Sequence, residues 1–192
     1  SELDLLKPSN PYSATKAAAD QLVLAWNRTY DLPYIIVRPT NNYGIGQYVE
    51  KLIPKSCKYL KLGKKIPLHN AGTPIRNWLH AGDTAAAIIK IIESGTRNEI
   101  YNISGDYEQS NIETVQQIIK LSGKNYHIFL DDGVPYAEDY DDYIDLSFNR
   151  KGQDVRYAID DSKLKNLGWS PTKVFKDELP EIVNYYKENF IW

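Results

Sequence analysis

Apolar residues recur at helical spacing early in the chain, at Ala14, Ala17, Ala18, Leu22, Ala25 and Trp26. Asn10 is suited to cap that helix and Pro11 to open it, since proline presets φ and lacks the donor that the first turn leaves unused. Asp31-Leu32-Pro33 closes it, and Tyr34-Ile35-Ile36-Val37 then reads as a short strand apolar on both faces, as parallel strands are. Val49, Leu52, Ile53, Cys57 and Leu60 predict an amphipathic helix within 48–62, starting near Lys51 or Leu52 so that Pro54 falls in its first turn. Ile66-Pro67-Leu68-His69 is a short extended piece, between a turn at Gly63-Lys64-Lys65 and another at Ala71-Gly72-Thr73-Pro74. A strand is expected over 76–80, a helix capped by Asp83 to about Glu93, and a strand over 99–104. Ser110 with Glu113 forms a capping box for a helix to about Leu121. A strand follows over 126–130, then a short helix capped by Asp160 or Asp161, and a final amphipathic helix over 174–190.

The stretch 131–145 carries seven acidic residues and three tyrosines with no period, so it is expected to be a solvated loop. It lacks the glycine and fixed ligand positions of a calcium loop, and no metal site is expected. Strands alternating with helices make the chain α/β, part of a doubly wound parallel sheet plus a smaller α+β portion. Residues 1–45 and about 76–104 are assigned to the first, and about 46–75 and 105–192 to the second.

Twenty-three basic residues balance twenty-five acidic ones, which leaves no basic footprint for nucleic acid or an anionic membrane. One cysteine, Cys57, rules out an internal disulfide and reads as a packing residue. No apolar run reaches the roughly 18 residues of a membrane span. A reducing cytoplasm is the default location.

Chemistry concentrates at Asn10-Pro11-Tyr12-Ser13-Ala14-Thr15-Lys16 and Arg38-Pro39-Thr40-Asn41-Asn42-Tyr43-Gly44. Tyr12 and Lys16 stand i, i+4 on one helix face, where an ammonium stabilises a phenolate. Many surface helices would match that pair alone. The element after it places the twin amides past the C-terminal end of a strand, where open α/β sheets bind ligands.

These two segments make the chain similar to the extended short-chain dehydrogenase/reductases. It most resembles the dTDP-glucose 4,6-dehydratases, on Asn41-Asn42-Tyr43-Gly44 with Gln47 and Glu50-Lys51-Leu52-Ile53-Pro54, Arg76-Asn77-Trp78-Leu79-His80, Tyr101-Asn102-Ile103-Ser104-Gly105 and Arg156-Tyr157-Ala158-Ile159-Asp160. The resemblance implies NAD as oxidant and then reductant. Hydride leaves sugar C4, water is eliminated across C5 and C6, and hydride returns to C6. Tyr12 would be the base and Lys16 the lysine at the nicotinamide ribose, and both contact the cofactor, with Asn42 on the cofactor side and Asn41 on the sugar. Lys51, Leu52, Ile53, Pro54, Lys55, Pro67, Leu68, His69, Asn70, Arg76, Asn102, Asn149, Arg150 and Gln153 would hold the nucleotide, dTDP- or UDP-glucose. The Tyr12 helix would form a homodimer.

Two departures stand out. No glycine-rich phosphate turn is present, and the family's Thr-Asp-Glu would lie upstream of Ser1. The chain therefore reads as the back portion of a larger protein, with roughly one domain (~100–150 residues) of cofactor-binding structure ahead of it and no dehydration by this portion alone. The family's Arg-Pro-Gly-His is Arg150-Lys151-Gly152-Gln153 here, which opens the base preference. Nucleotide-sugar epimerisation or decarboxylation is a second reading, and a non-catalytic nucleotide-sugar-binding or dimerisation fragment a third. On chemistry alone His69 and His80 are structural, the four tryptophans are packing residues, Asn102 also suits a turn and Arg76 a surface ion pair.

Overall fold

The computed structural model describes residues 1–125, 127–131 and 134–189. Its contacts divide the chain into two compact units, one of Ser1–Asn42, Arg76–Glu108 and Lys151–Lys173, the other of Tyr43–Ile75, Gln109–Arg150 and the segment from Val174 onward.

Helix α1 of the first unit spans Pro11–Tyr30. Asn10 caps it, its Oδ1 accepting from Ser13 N at 2.9 Å. Asp31 ends it in the left-handed region, at φ 53°, with its N–H donating to Asn27 O at 2.8 Å. No α1 residue is buried, and Leu22, Trp26 and Tyr30 are 62%, 54% and 61% exposed. The packing role expected for Trp26 therefore fails within the chain. Trp78 and Trp169 are buried.

Strand β1, Ile35–Pro39, runs parallel to β5, Glu99–Ile103, in a register from Ile35 opposite Glu99 to Pro39 opposite Ile103. Only Ile36 of β1 is buried, because Ile35 and Val37 reach no further than the margin of the core. That core joins Leu79, Ala87, Ile91, Tyr101, Ile103, Leu164 and Trp169. Each fully buried large aliphatic among them contributes about 1.5–3 kcal/mol. A second, four-stranded sheet has the order β10, β4, β2, formed by Arg156–Tyr157, Ile75–His80 and Asn41–Tyr43, with β6, Tyr107–Ser110, also paired to β4. The twin amides therefore lie in a strand of their own. Helix α3, Ala81–Ser94, follows β4, and its cap is His80, whose Nδ1 accepts from Gly82 N at 3.1 Å. Asp83, expected to cap, is instead buried in the first turn, accepting from Thr172 N at 3.1 Å, Thr172 Oγ1 at 2.8 Å and Lys173 N at 2.9 Å.

Lys151–Lys173 was expected with the second portion and packs in the first unit. Besides the Asp83 clasp, Lys163 Nζ donates to Glu99 Oε2 at 2.6 Å and Ile100 O at 2.8 Å, and Asn102 Nδ2 to Asp160 O at 2.9 Å. Its short helix α5 is Ser162–Lys165. Asp161 takes the cap position without a side-chain bond, while Asp160 Oδ1 accepts from Ser162 N at 2.9 Å.

In the second unit α2 (Leu52–Lys61), α4 (Asn111–Leu121) and α6 (Phe175–Glu188) pack on one another. They bury Ile53, Leu60, Val115, Ile118, Phe175 and Ile182. Pro54 sits in the first turn of α2, as expected, and Ser110 and Glu113 form the capping box of α4. Strand β3, Ile66–Pro67, pairs in parallel with β9, Ile144–Asp145. The acidic stretch is not the expected loop. After β7, His127–Asp131, strand β8, Val134–Asp139, pairs antiparallel with it, and Tyr140 and Ile144 anchor the continuation by burial. Tyr126, Phe190 and Trp192, included in the sequence-based elements or packing assignments, lie outside the described residues.

Candidate active site

The first unit contains a cavity of about 760 Å³ between α1, β1 and the 154–159 segment. Tyr12, Ser13, Lys16, Ala17 and Asp20 line it from α1, Val37, Arg38 and Pro39 from β1, Asn102 from β5, and Asp154, Arg156 and Tyr157 from the third side. The helical spacing brings Tyr12 and Lys16 into one cavity. Tyr12 is 70% exposed, and among the described residues neither its hydroxyl nor the Lys16 ammonium has a hydrogen bond or an ion pair. Both groups are free to engage a ligand. Two other cationic side chains of the lining are already paired. Arg38 Nε pairs with Asp20 Oδ2 at 2.8 Å, and Arg156 Nη2 with Glu108 Oε2 at 2.9 Å.

Tyr157 was not singled out from the sequence. Burial first, then the Asp154 carboxylate and Tyr12, pushes its phenol above the ordinary value, so it stays a proton donor beside Tyr12. Its only sequence signal was its place in the Arg156-Tyr157-Ala158-Ile159-Asp160 run. Arg76 lies half-buried, its Nη1 donating to Asp154 O at 3.0 Å, and burial draws its guanidinium below the usual range. The side chain thereby holds the backbone of the turn that follows Gly152, with the Asp154 carboxylate acting on it electrostatically.

The twin amides do not line this cavity. Asn42 is committed within the protein, Nδ2 donating to Thr40 O at 3.1 Å and Oδ1 accepting from Thr84 Oγ1 at 2.8 Å. Asn41 Oδ1 is buried without a partner, and so is Gln153 Oε1. Buried acceptors without a donor are rare. Asn102 reaches the cavity wall, but it is 2% exposed and its Nδ2 holds Asp160 O.

In the second unit the segments from 66 and 144 zip together: Leu68 N donates to Asp145 O at 2.9 Å and Asn70 N to Phe148 O at 3.0 Å. The Asn70 amide then clamps Arg150, accepting from its N at 2.7 Å and donating to its O at 3.2 Å. Asn70 takes φ 53° and Ala71 φ 52° to do this. So Asn70 acts on the loop backbone, Leu68 and Ile53 are core residues, and the Arg150 guanidinium has no partner among the described residues. His69 packs edge-on to Phe148 at 5.9 Å with Nδ1 buried and unpartnered. Pro67 belongs to β3, Lys51 is exposed 3.8 Å from Glu50, Lys55 Nζ stands 5.6 Å from the Tyr59 ring centre, and Asn149 is exposed. Leu52 and Pro54 open α2.

The fit to a dinucleotide is good on the Tyr12 and Lys16 side, where free donors face open volume, and poorer at Asn42, whose amide is already bonded at both ends.

Comparison with known proteins follows the same lines. The low-salt glycan biosynthesis protein Agl12 of Haloferax volcanii is 40% identical over 185 residues, covering 96% of this chain and 55% of that protein. The crystal structure of dTDP-glucose 4,6-dehydratase from Bacillus anthracis, in complex with NAD, superposes with a TM-score of 0.80 at 40% identity, over 100% of this chain and 57% of that one. DesIV, the dTDP-glucose 4,6-dehydratase of Streptomyces venezuelae with NAD and TYD bound, gives 0.85 at 34% identity, over 98% and 54%. The expected α/β class with parallel strand pairing is that of these structures. The chain spans about half the length of the curated relatives it matches. The family model described as the NAD dependent epimerase/dehydratase family matches residues 1–104, and the chain belongs to that family.

Proposed function

We propose that this chain carries the hydride-transfer base and the nucleotide contacts of a nucleotide-sugar 4,6-dehydratase, with dTDP-glucose as substrate and NAD as cofactor. The observation that carries the reading is the pair of unpartnered side chains, Tyr12 and Lys16, on one face of an Asn10-capped helix and in one cavity. The 40% identity to a dTDP-glucose 4,6-dehydratase supports the substrate class.

NAD, when bound, supplies the hydride acceptor and donor. The Lys16 ammonium one helical turn away stabilises the Tyr12 phenolate, whose Oη takes the proton of the sugar C4 hydroxyl and is left a neutral phenol. Tyr157 keeps its own proton and lends a donor from another side of the same cavity. Asn41 Oδ1 and Gln153 Oε1 accept from ligand hydroxyls, and the free Arg150 guanidinium presents paired donors to a diphosphate.

We further propose that a second copy covers the exposed Leu22, Trp26 and Tyr30 of α1. These residues lie i, i+4, i+8 on one stripe, which suits antiparallel pairing of the same helix from each protomer.

Calorimetry of the chain with dTDP, dTDP-glucose and NAD tests the reading. The two thymidine nucleotides are expected to saturate one site, and Arg150→Ala to weaken them about 10-fold or more, the worth of one charge-assisted contact. A chain that takes up neither nucleotide refutes the proposal.

A further inference from the structure

The turn that follows Arg150 is fastened to the cap of the helix bearing Tyr12. Asn10 works in two directions: its Oδ1 caps α1 through Ser13 N at 2.9 Å, and its Nδ2 donates to Gly152 O at 3.0 Å. Ser9 Oγ lies 2.8 Å from Asp154 Oδ1 and 3.2 Å from Gly152 O, so its single hydrogen goes to the carboxylate, the nearer and charged acceptor. Arg76 Nη1 grips Asp154 O from β4 at 3.0 Å. Gly152 itself adopts φ +69°, and a Cβ there would stand 2.7 Å from the Ser9 carbonyl oxygen, a backbone atom with nowhere to go. Two segments more than 140 positions apart in sequence therefore meet without a side chain between them, next to Gln153, whose Oε1 is buried and unpartnered.

We infer that Ser9, Asn10 and Asp154 are positioning residues that couple occupancy of the turn at Gly152 and Gln153 by a nucleoside diphosphate to the N-terminal turn of α1, and so to the Tyr12 phenol. This rests on the function proposed above. A ligand donor that engages Gln153 moves or stiffens the Gly152 peptide. The Asn10 amide carries that change to the first turn of α1, because one planar group holds both the Gly152 carbonyl and the Ser13 N–H. Nucleotide binding thereby sets the base before the sugar reaches it.

The test uses the 192-residue chain with 13Cζ-labelled tyrosine, the Tyr12 signal being identified by its loss in Tyr12→Phe. The probe is dTDP, which has no hexose, so a response at Tyr12 cannot come from the C4 hydroxyl. In the wild type dTDP is expected to shift the Tyr12 resonance. Asn10→Asp keeps the cap oxygen but loses the donor to Gly152, and should bind dTDP within about threefold of wild type while losing most of the shift. Asp154→Ala should behave likewise, and Asp154→Asn, which retains an acceptor for Ser9, should restore it. Retention of α1 amide protection in the variants separates loss of coupling from loss of fold. If the wild type binds dTDP and the shift persists in Asn10→Asp and Asp154→Ala, the coupling is overturned and the proposed function stands. If the wild type does not bind dTDP, both fall.

Discussion

Replacing Asn77 by alanine removes a side chain that ties the residue before β2 to the residues after β5. Asn77 is 5% exposed, and its Oδ1 accepts from Thr40 Oγ1 and from Gly105 N, both at 2.8 Å, while its Nδ2 donates to Gly105 O at 2.6 Å. Ser104 Oγ also reaches Gly105 O, at 3.1 Å, so that carbonyl keeps a donor in the variant. The Thr40 hydroxyl and the Gly105 N–H are left buried without the partners that Asn77 supplied. Each stranded group costs about 1–3 kcal/mol, and the total expected is about 3–5 kcal/mol, since some relaxation is available. Gly105 has no means of compensating by a larger shift, because a Cβ at that position would already overlap the Trp78 carbonyl, and its backbone is wedged there. For a chain of this length each 1 kcal/mol lowers Tm by about 2–4 °C, so the melting point should fall by about 6–20 °C. Urea titration followed by far-UV circular dichroism measures the free energy, and the thermal scan gives the second value. A loss below about 1 kcal/mol, the net worth of one ordinary hydrogen bond, would refute the three-bond bridge.

Other expectations follow from single features. Trp26→Asp should convert a dimer to monomers in sedimentation velocity with the helix content unchanged, because Trp26 is 54% exposed on α1, with its ring 4.7 Å from that of Tyr30 on the same helix. A wild type that is monomeric at high concentration contradicts the proposed pairing. The Ser110 hydroxyl and N–H hold the Glu113 carboxyl below its ordinary 4.5, so the capping box adds stability that is present above that pH and is lost as pH falls through the depressed value. The stability difference between wild type and Glu113→Gln should therefore be seen at pH 7 and close at lower pH; a constant difference down to pH 2 speaks against it. Burial pushes the Cys57 thiol up to about 12, so a thiol reagent at pH 8 should label it only as fast as α2 opens, with rates that rise in urea. Rapid labelling in the native state would show the thiol to be exposed.

Local signals carried the reading of the helices. Asn10-Pro11 opens α1, Ser110 with Glu113 opens α4, and Pro54 falls in the first turn of α2, all because caps and first-turn prolines act within three or four residues. Of the candidate site, what was legible to the same depth is that Tyr12 and Lys16 share a wall, because i, i+4 fixes their face. What escaped was set by distant partners. Asp83 reads as a cap from its neighbours, yet it is drawn to Thr172 and Lys173, and His80 caps α3 instead. The bonds that the Asn70 amide makes to the backbone of Arg150, eighty positions away, left no local signal. The β10, β4, β2 sheet has strands of two, six and three residues, too short at its edges for a period to show. The exposed stripe of α1 carries the same apolar spacing as a buried one, so periodicity identified the helix without saying what covers it.

The central claim is that Tyr12 is the base for the sugar C4 hydroxyl, and a crystal structure of the chain with dTDP-glucose tests it most directly. The account predicts the hexose in the cavity lined by Tyr12 and Lys16, with the C4 oxygen within hydrogen-bond reach, about 2.6–3.2 Å, of Tyr12 Oη. A bound hexose whose C4 hydroxyl faces away from Tyr12, or saturating dTDP-glucose that leaves the cavity empty, would contradict it.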